Sequence, residues 1–276
     1  MNKISEDLSS AALARAIDEN LLEKSLSFPR FFQGEIYGPN PLWFITGAPL
    51  RSNNGVVRAN LAPGSIDTHI KSILDSLRQA QGRHLQTQGL PLTWWVGPTT
   101  SPTNLGKHLQ AAGFTHNRDM IGMAIDLHTL PAAPDTTQDL EFALVNDVET
   151  LLAWYEVFLQ GFPTSFNQAY FDALAAMSVG ADTGWRHYVG RLRGKVVTVS
   201  SLFLGAGVAG LYNLTTLTEA RGEGIGAWMT IKTFEQARSQ GYRIGTLQTT
   251  YPNALRLYHR LGFEVYCKIG IYNYHV

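Results

Sequence analysis

Residues Thr215–Ala227 read Thr-Thr-Leu-Thr-Glu-Ala-Arg-Gly-Glu-Gly-Ile-Gly-Ala, with alternating glycines in the second half. A strand-like run, Leu211–Leu217, precedes the glycines, and a run with helical apolar spacing follows them as far as Gly241. Glycine lets a backbone approach a phosphate closely. A helix that begins here would direct its unpaired N–H groups and the positive end of its dipole at a bound anion. The stretch therefore predicts a phosphate cradle between a strand and a helix.

The residues around these glycines discriminate between kinds of phosphate site. A P-loop continues its last glycine with Lys and then Ser or Thr, whereas Gly226 is followed by Ala227 and Trp228. A dinucleotide-binding fold carries an acidic residue about twenty positions further on, and the residues near Thr246 include neither Asp nor Glu. The pattern excludes both sites. Two interpretations remain: a site for another phosphate-containing ligand, and a tight turn into a helix with no bound ligand.

A second motif, Asn253–Phe263, reads Asn-Ala-Leu-Arg-Leu-Tyr-His-Arg-Leu-Gly-Phe. Together with Arg221-x-x-Gly224-x-Gly226, it resembles the pair of acyl-CoA signatures of the GNAT family of N-acetyltransferases. The resemblance covers residues 138–276. It implies a mixed α/β domain in which two central strands splay apart to admit the pantetheine arm of CoA.

The resemblance also implies site residues. Tyr258 matches the tyrosine that protonates the departing thiolate in many family members, and the alternative is a helix tyrosine packed at the core edge. Acetyl-CoA is the implied acyl donor, and no metal is implied. The implied acetyl-CoA contacts are Leu214, Thr215 and Thr216 for the pantetheine, Arg221, Gly222, Glu223, Gly224, Ile225, Gly226 and Ala227 for the pyrophosphate, and Asn253.

The sequence departs from the family pattern at the general base and at one asparagine. Several relatives carry a glutamate on the strand before the glycine loop or on the strand before the second motif, and here Leu211–Leu214 and Gly245–Gln248 contain none. Glu156, Glu219 and ordered water stay open as routes for deprotonation. Tyr251 stands where the family often has an asparagine that contacts CoA, so the role of Asn253 stays open.

Composition excludes several classes of function. Lys and Arg together number 22, as do Asp and Glu, so no basic face is expected for nucleic acid or for an anionic membrane. Cys267 is the single cysteine, which excludes an intramolecular disulfide and favours a small core residue. No run approaches the roughly 20 apolar residues of a membrane span, and the first residues contain no apolar signal core. We expect a cytoplasmic enzyme.

The first half of the chain predicts a degenerate copy of the same fold. A strand, Leu92–Pro98, and a helix, Leu105–Ala112, lead to Gly113-Phe114, and aligning this dipeptide with Gly262-Phe263 sets Leu109 at the position of Tyr258. An earlier strand and helix are joined only by Ala62-Pro63-Gly64. Because proline has no N–H, this loop is not expected to cradle a phosphate.

These observations predict an α/β fold of the α+β type with two tandem acetyltransferase-like domains. Each is a mixed, mostly antiparallel sheet flanked by helices, at residues 1–130 and 138–276, with a Pro-rich linker between them. The other predicted elements are helices at 8–22, 147–160 and 167–177, strands at 185–192, 196–204 and 207–217, and turns at Arg193–Lys195 and Gly205-Ala206.

The sequence indicates less about the acceptor of the acyl group than about its donor. The loop Gly161–Phe166 is aromatic and uncharged, so one hypothesis is a small amine of apolar character held by this loop, Trp154 and the first half. The alternative is that these aromatic residues only pack. The functional alternatives are an N-acyltransferase acting on a small-molecule amine and a non-catalytic CoA-binding module. The terminal tyrosines, Tyr266, Tyr272 and Tyr274, fit either a homodimer edge or the core.

Overall fold

The computed structural model describes residues 3–48, 53–83, 91–134, 139–162, 165–178 and 183–275. The chain divides into two compact units. The first, here called the glycine-loop unit, comprises Met1–Asn20 and Gly122–Tyr266. The second, here called the companion unit, comprises Leu21–Ile121 and Cys267–Val276.

Helices and strands alternate along most of the described chain. The helices are α1 (Ser10–Ser27), α2 (Pro29–Phe32), α3 (Ile66–Arg83), α4 (Leu105–Ala111), α5 (Val148–Gly161), α6 (Gln168–Ser178), α7 (Ile225–Ser239) and α8 (Pro252–Arg260). The strands are β1 (Glu35–Tyr37), β2 (Leu42–Ile45), β3 (Asn54–Arg58), β4 (Leu92–Val96), β5 (Thr115–Asp126), β6 (Leu140–Leu144), β7 (Trp185–Leu192), β8 (Lys195–Gly205), β9 (Val208–Thr216), β10 (Ile244–Thr249) and β11 (Glu264–Tyr274).

The sheet of the glycine-loop unit follows the order β5-β10-β9-β8-β7-β6. The strands from β6 to β9 pair antiparallel, and β10 pairs with β9 in parallel. Two hairpins turn at Arg193-Gly194 and at Ala206-Gly207, and all four of these residues have positive φ. Positive φ at both central residues is the requirement of the type I′ two-residue hairpin turn. Both predicted turns are present but shifted by one residue, because Lys195 and Gly205 belong to β8 and the second turn is Ala206-Gly207.

Helix α7 packs an apolar face against this sheet. A Cβ at Gly190 on β7 would lie 3.0 Å from Trp228, so the glycine permits the close approach of the helix. The helix is closed by Gly241, whose φ of 86° is the left-handed conformation that ends many helices. The helical apolar spacing predicted from the sequence is confirmed, since Ile225, Trp228, Met229, Ile231 and Phe234 are all buried, together with Thr230, Thr233 and Ala237.

The companion unit has a sheet in the order β1-β2-β3-β4-β11-β5. Helix α3 covers its core, where Ile66, Ile70 and Leu77 are buried with Trp94 of β4. Its strands β3 and β4 are parallel, as β9 and β10 are in the glycine-loop unit. The order β3-α3-β4-α4-β5 also matches the order β9-α7-β10-α8-β11. The two halves of the chain therefore repeat one succession of elements.

Helices α4 and α8 end in the same way. Phe114 N donates to Leu109 O over 3.0 Å, and Phe263 N donates to Tyr258 O over 3.0 Å. The glycine before each phenylalanine has a φ near 90° (93° and 92°). The predicted equivalence of Leu109 and Tyr258 is thus confirmed at the level of hydrogen bonds.

The unit boundaries differ from the predicted ranges 1–130 and 138–276. The Nδ2 atom of Asn20 donates to Gly205 O over 2.9 Å, which ties the N-terminal segment to the glycine-loop unit. The end of β11, Gly270–Tyr274, pairs with β4 and so belongs to the companion unit. Hydrogen bonds between segments so far apart in the sequence leave no local signal from which they could be predicted.

The predicted helices are present with small shifts. α5 and α6 begin and end within one residue of the prediction, whereas α1 continues five residues beyond the predicted end, to Ser27. None of the described helices combines the length and the apolar composition needed to cross a membrane.

Candidate active site

Strand β9 pairs with β10 along only part of its length. Ala209–Leu211 lie opposite Gly245–Leu247, and β9 then continues to Thr216. Past Leu211, the pairings found among the described residues join β9 to β8 alone. We call the space beside the outer half of β9 the cleft. Its position agrees with the splayed strands that the family resemblance implies.

Strand β9 contains a β-bulge in its outer half. Thr215 lies opposite Val199 of β8 and Tyr212 lies opposite Ser201, so two residues of β9 face one of β8. One of the two, Asn213, has a φ of 56°. A bulge bends its strand and increases the local twist, and here it falls where the pairing with β10 ends.

The glycine loop lies between the end of β9 and the start of α7. Gly222 and Gly224 have φ values of 90° and 78°, which only glycine adopts at little cost. The amide of Trp228 is the first to bond within the helix, to Gly224 O over 3.0 Å. The preceding N–H groups, from Ile225 to Ala227, have no intrahelical partner and can face a ligand. The predicted strand–loop–helix arrangement is present.

Three elements meet at Gly226, the second residue of α7. A Cβ built there would lie 3.6 Å from Thr216 Oγ1 of β9 and 3.7 Å from Leu257 Cδ2 of α8. The end of β9, the start of α7 and the helix that carries Tyr258 are therefore neighbours. The two sequence motifs, distant along the chain, are thus close together in the fold.

Arg221 connects the glycine loop to the end of β9. Its Nε atom donates to Thr216 O over 2.9 Å, and the side chain is otherwise exposed. This bond fixes the loop to the end of β9, and the rest of the guanidinium group is available at the residue that precedes Gly222. A guanidinium group there can form charge-assisted hydrogen bonds with phosphate oxygens. The neighbouring Glu223 is also exposed.

Tyr258 lies on the buried side of α8. Only 6% of the residue is exposed, and its ring packs edge-on against Phe263 at a centroid distance of 5.8 Å. Burial raises the pKa of the hydroxyl above its ordinary value, because a phenolate is poorly solvated there. The group therefore holds its proton at neutral pH, as a general acid must. Burial of this kind also fits the alternative of a core tyrosine.

The remaining predicted contacts differ in how directly they face the cleft. Leu214 is half-buried at the bulge. The side chain of Thr215 is buried and points at α5, where it touches the position that a Cβ of Gly161 would occupy. Asn253 is exposed near the start of α8, and its Oδ1 accepts a hydrogen bond from Arg256. Thr215 can thus reach a cleft ligand only through its backbone.

Neither carboxylate considered as a general base is enclosed. Glu156 is exposed on α5. Glu219 is exposed in the short turn after β9 and lies 3.3 Å from Lys195 Nζ. A backbone N–H bond, followed by the hydrogen bond from Lys195, lowers the pKa of Glu219. A carboxylate of lowered pKa is a weak base, so neither the exposure nor the lowered pKa of Glu219 favours it as the general base.

The predicted acceptor loop contains Pro163 and Thr164, which lie outside the described residues. Phe162 stacks on Phe158 at a centroid distance of 4.6 Å. Phe166 lies 5.2 Å from Tyr155 and is 49% exposed. The described aromatic residues of this loop are therefore partly packed on α5 and partly open to solvent.

In the companion unit, the position that corresponds to the cleft is occupied by the chain itself. Beyond the parallel pair of β3 and β4, Ser101 N donates to Ala59 O and Leu61 N donates to Ser101 O, each over 3.0 Å. Asn60 and Ser101 thereby form a parallel bridge. The position that is open beside β9 is filled beside β3.

A buried histidine was missed by the sequence reasoning. His187 of β7 is 1% exposed, and its ring lies 4.8 Å from Trp154 and 5.6 Å from Trp185. Its Nδ1 atom lies 2.7 Å from Ser201 Oγ, and its Nε2 has no partner among the described residues. Burial lowers its pKa to about 3. The alternation Trp185-x-His187 in β7 was the available signal, because it puts both rings on one face of the sheet.

The lowered pKa of His187 predicts sensitivity to mild acid. The unfolded chain binds a proton near pH 6.5 and the folded protein only near pH 3, so stability falls as the pH decreases through this window. We expect the free energy of unfolding to fall by about 2 kcal/mol between pH 6.5 and pH 5. Denaturant unfolding at both pH values would measure the loss. The variant His187→Phe should lose most of this dependence, and an equal dependence in the variant would contradict the assignment.

The fold and the cleft combine a mixed sheet that is opened at a bulged strand with a glycine loop that leads into a helix. Residues 151–263 match the acetyltransferase (GNAT) family, and this part of the chain is a GNAT domain. No curated protein sequence matches the chain. Among the described residues, no three His, Cys, Asp or Glu side chains converge as a metal site requires.

Solved structures share the fold over nearly the whole chain. A GCN5-related N-acetyltransferase from Kribbella flavida has a TM-score of 0.68 at 16% identity, covering 92% of this chain and 95% of that one. One from Sphaerobacter thermophilus has a TM-score of 0.62 at 17% identity, covering 99% and 94%. A tandem GNAT protein from the clavulanic acid biosynthesis pathway has a TM-score of 0.53 at 16% identity, covering 88% and 78%. The predicted tandem fold class is confirmed.

Proposed function

We propose that the glycine-loop unit is an acyl-CoA-dependent N-acyltransferase that moves an acetyl group from acetyl-CoA to the primary amine of a small molecule. The observation that carries this proposal is the convergence at Gly226 of the end of β9, the start of α7 and the helix of Tyr258. The N–H groups at the start of α7 hold the pyrophosphate. The backbone of Leu214–Thr216 holds the pantetheine arm along the cleft.

The reaction is a direct attack on the thioester. The neutral amine attacks the carbonyl carbon, the C–N bond forms, and the C–S bond then breaks. Tyr258 gives its proton to the departing sulfur, the attached nitrogen loses a proton to water, and water returns a proton to Tyr258. Burial raises the pKa of a thiol as well as that of a phenol, so the proton transfer stays feasible in an enclosed site. Most of the rate enhancement then comes from holding amine and thioester together.

The companion unit is proposed to bind no CoA. The bridge between Asn60 and Ser101 fills the position of the cleft. Pro63 lacks an N–H group in the loop before α3, and Leu109 replaces the tyrosine. Each of the three parts of the site is thus missing, and acetyl-CoA should bind once per chain.

A non-catalytic CoA-binding module is the second candidate. The observation that favours it is the exposure of both Glu156 and Glu219, so that neither of the two carboxylates considered as the base is enclosed. Such a protein would bind acetyl-CoA at the same loop and release no CoA with any amine.

A panel of amines separates the two candidates. We expect CoA release from acetyl-CoA, followed with a thiol reagent, to be accelerated by aromatic or aliphatic primary amines. The reason is that the loop from Gly161 to Phe166 has no charged side chain and exposes Phe166. Turnover with protein or strongly anionic substrates alone would contradict this acceptor class. Absence of turnover with every amine, despite acetyl-CoA binding, would favour the binding module.

A further inference from the structure

Three polar side chains on adjacent strands form a continuous chain beneath the bulge. Asn213 Nδ2 of β9 donates to Ser201 Oγ of β8 over 3.0 Å. Ser201 Oγ lies 2.7 Å from Nδ1 of His187 on β7. Because the Ser201 oxygen accepts from Asn213, its own proton is available for Nδ1. We call these three residues the polar chain.

The polar chain begins at the residue that makes the bulge. The left-handed conformation of Asn213, with a φ of 56°, is unfavourable for most side chains, and asparagine tolerates it best after glycine. The preceding residue, Tyr212, is anchored separately, since its hydroxyl donates to Asn20 Oδ1 over 2.8 Å. Side chains therefore anchor both Tyr212, the last paired residue before the bulge, and Asn213, the first residue of the bulge, and the next residue, Leu214, begins the pantetheine segment.

The histidine at the other end of the polar chain lowers the stability of the fold. Its Nε2 atom is buried without a partner among the described residues, and such an atom is a net cost to folding. A phenylalanine would occupy the aromatic surroundings formed by Trp154 and Trp185 without that cost. What the imidazole supplies, and a phenyl ring does not, is an acceptor for Ser201.

We propose that the polar chain is a positioning device for acyl-CoA. Ser201, held by His187, holds Asn213 in the bulged conformation, and the bulge directs the backbone of Leu214–Thr216 into the cleft. None of the three side chains needs to touch the ligand. The inference rests on the proposed function, because it assigns a role in the binding of the same acyl-CoA.

The test compares two serines that are neighbours on β8. Ser201→Ala breaks the polar chain. Ser200→Ala is the matched control, since Ser200 is equally buried and its Oγ bonds to Thr233 Oγ1 over 2.7 Å, on the side of α7. Ser201→Ala loses two buried hydrogen bonds, to Asn213 and His187, and Ser200→Ala loses one, to Thr233, so both variants are expected to have a lower Tm than wild type. For Ser201→Ala alone, we expect the KM for acetyl-CoA to rise about fivefold or more, with kcat within about twofold of wild type.

His187→Phe supplies a second readout that a purely structural role would not give. We expect its Tm at pH 7 to stay close to that of wild type, because removal of the unpartnered Nε2 offsets the lost hydrogen bond to Ser201, while the KM for acetyl-CoA rises as in Ser201→Ala. Equal KM values in wild type, Ser201→Ala and His187→Phe would overturn the inference and leave the proposed function standing. A wild-type protein that binds no acetyl-CoA by calorimetry would overturn both.

Discussion

Replacing Tyr258 by phenylalanine is expected to lower kcat about 100-fold or more while changing the Kd for CoA by less than about twofold. The variant keeps the ring that packs edge-on against Phe263 and removes only the hydroxyl. Because burial raises the pKa of this group, it carries its proton at every pH at which the amine reacts. Its loss leaves the thiolate to depart unprotonated or to draw a proton from water.

The matched control for this variant is Tyr188→Phe. Tyr188 is also buried in the glycine-loop unit, and burial raises its pKa to about 12. It lies on β7, however, and stacks on Phe142 of β6. We expect wild-type kcat from this control, measured by CoA release under saturating acetyl-CoA. If Tyr258→Phe turned over at the wild-type rate as well, Tyr258 would be a packing residue only.

Replacing Gly226 by aspartate should have opposite effects on folding and on binding. The helix gains a residue of better propensity than glycine and an acidic group in its first turn, which together stabilise the fold by about 0.5–1 kcal/mol. A Cβ fits there, with its nearest neighbours at 3.6 and 3.7 Å. The new carboxylate stands where the pyrophosphate is expected, so acetyl-CoA should bind at least about 100-fold more weakly.

Gly226→Asn separates charge from size in this experiment. It is nearly isosteric with the aspartate variant and uncharged, so we expect a smaller loss of affinity. Calorimetric titration and thermal unfolding would give both quantities for the three proteins. A Gly226→Asp protein that bound acetyl-CoA as wild type does would place the phosphates elsewhere.

The sequence predicted those parts of the fold and of the candidate site that depend on a few consecutive residues. The glycines around Gly224, the apolar face of α7 and the Gly-Phe ends of α4 and α8 each depend on a few consecutive residues. Backbone conformation at glycine, capping and helical periodicity operate at that range. The hairpin turn at Arg193-Gly194 was predictable for the same reason.

Other parts depend on contacts between distant segments. The anchoring of Asn20 at Gly205 joins residues 185 positions apart, and the pairing of β11 with β4 joins the end of the chain to its first half. The positive φ of Asn213 and the partners of His187 likewise follow from strand register. Sequence periodicity shows which residues face inward, but it does not show which buried residues meet.

The central claim is that acetyl-CoA binds once per chain, at the start of α7. Calorimetric titration of the full chain tests it with two aspartate variants at corresponding loops: Gly226→Asp before the body of α7 and Gly64→Asp before α3, where a Cβ also has free space. The account predicts a stoichiometry of one for wild type, unchanged binding for Gly64→Asp and loss of binding for Gly226→Asp. Two sites per chain, or binding lost with Gly64→Asp and kept with Gly226→Asp, would contradict it.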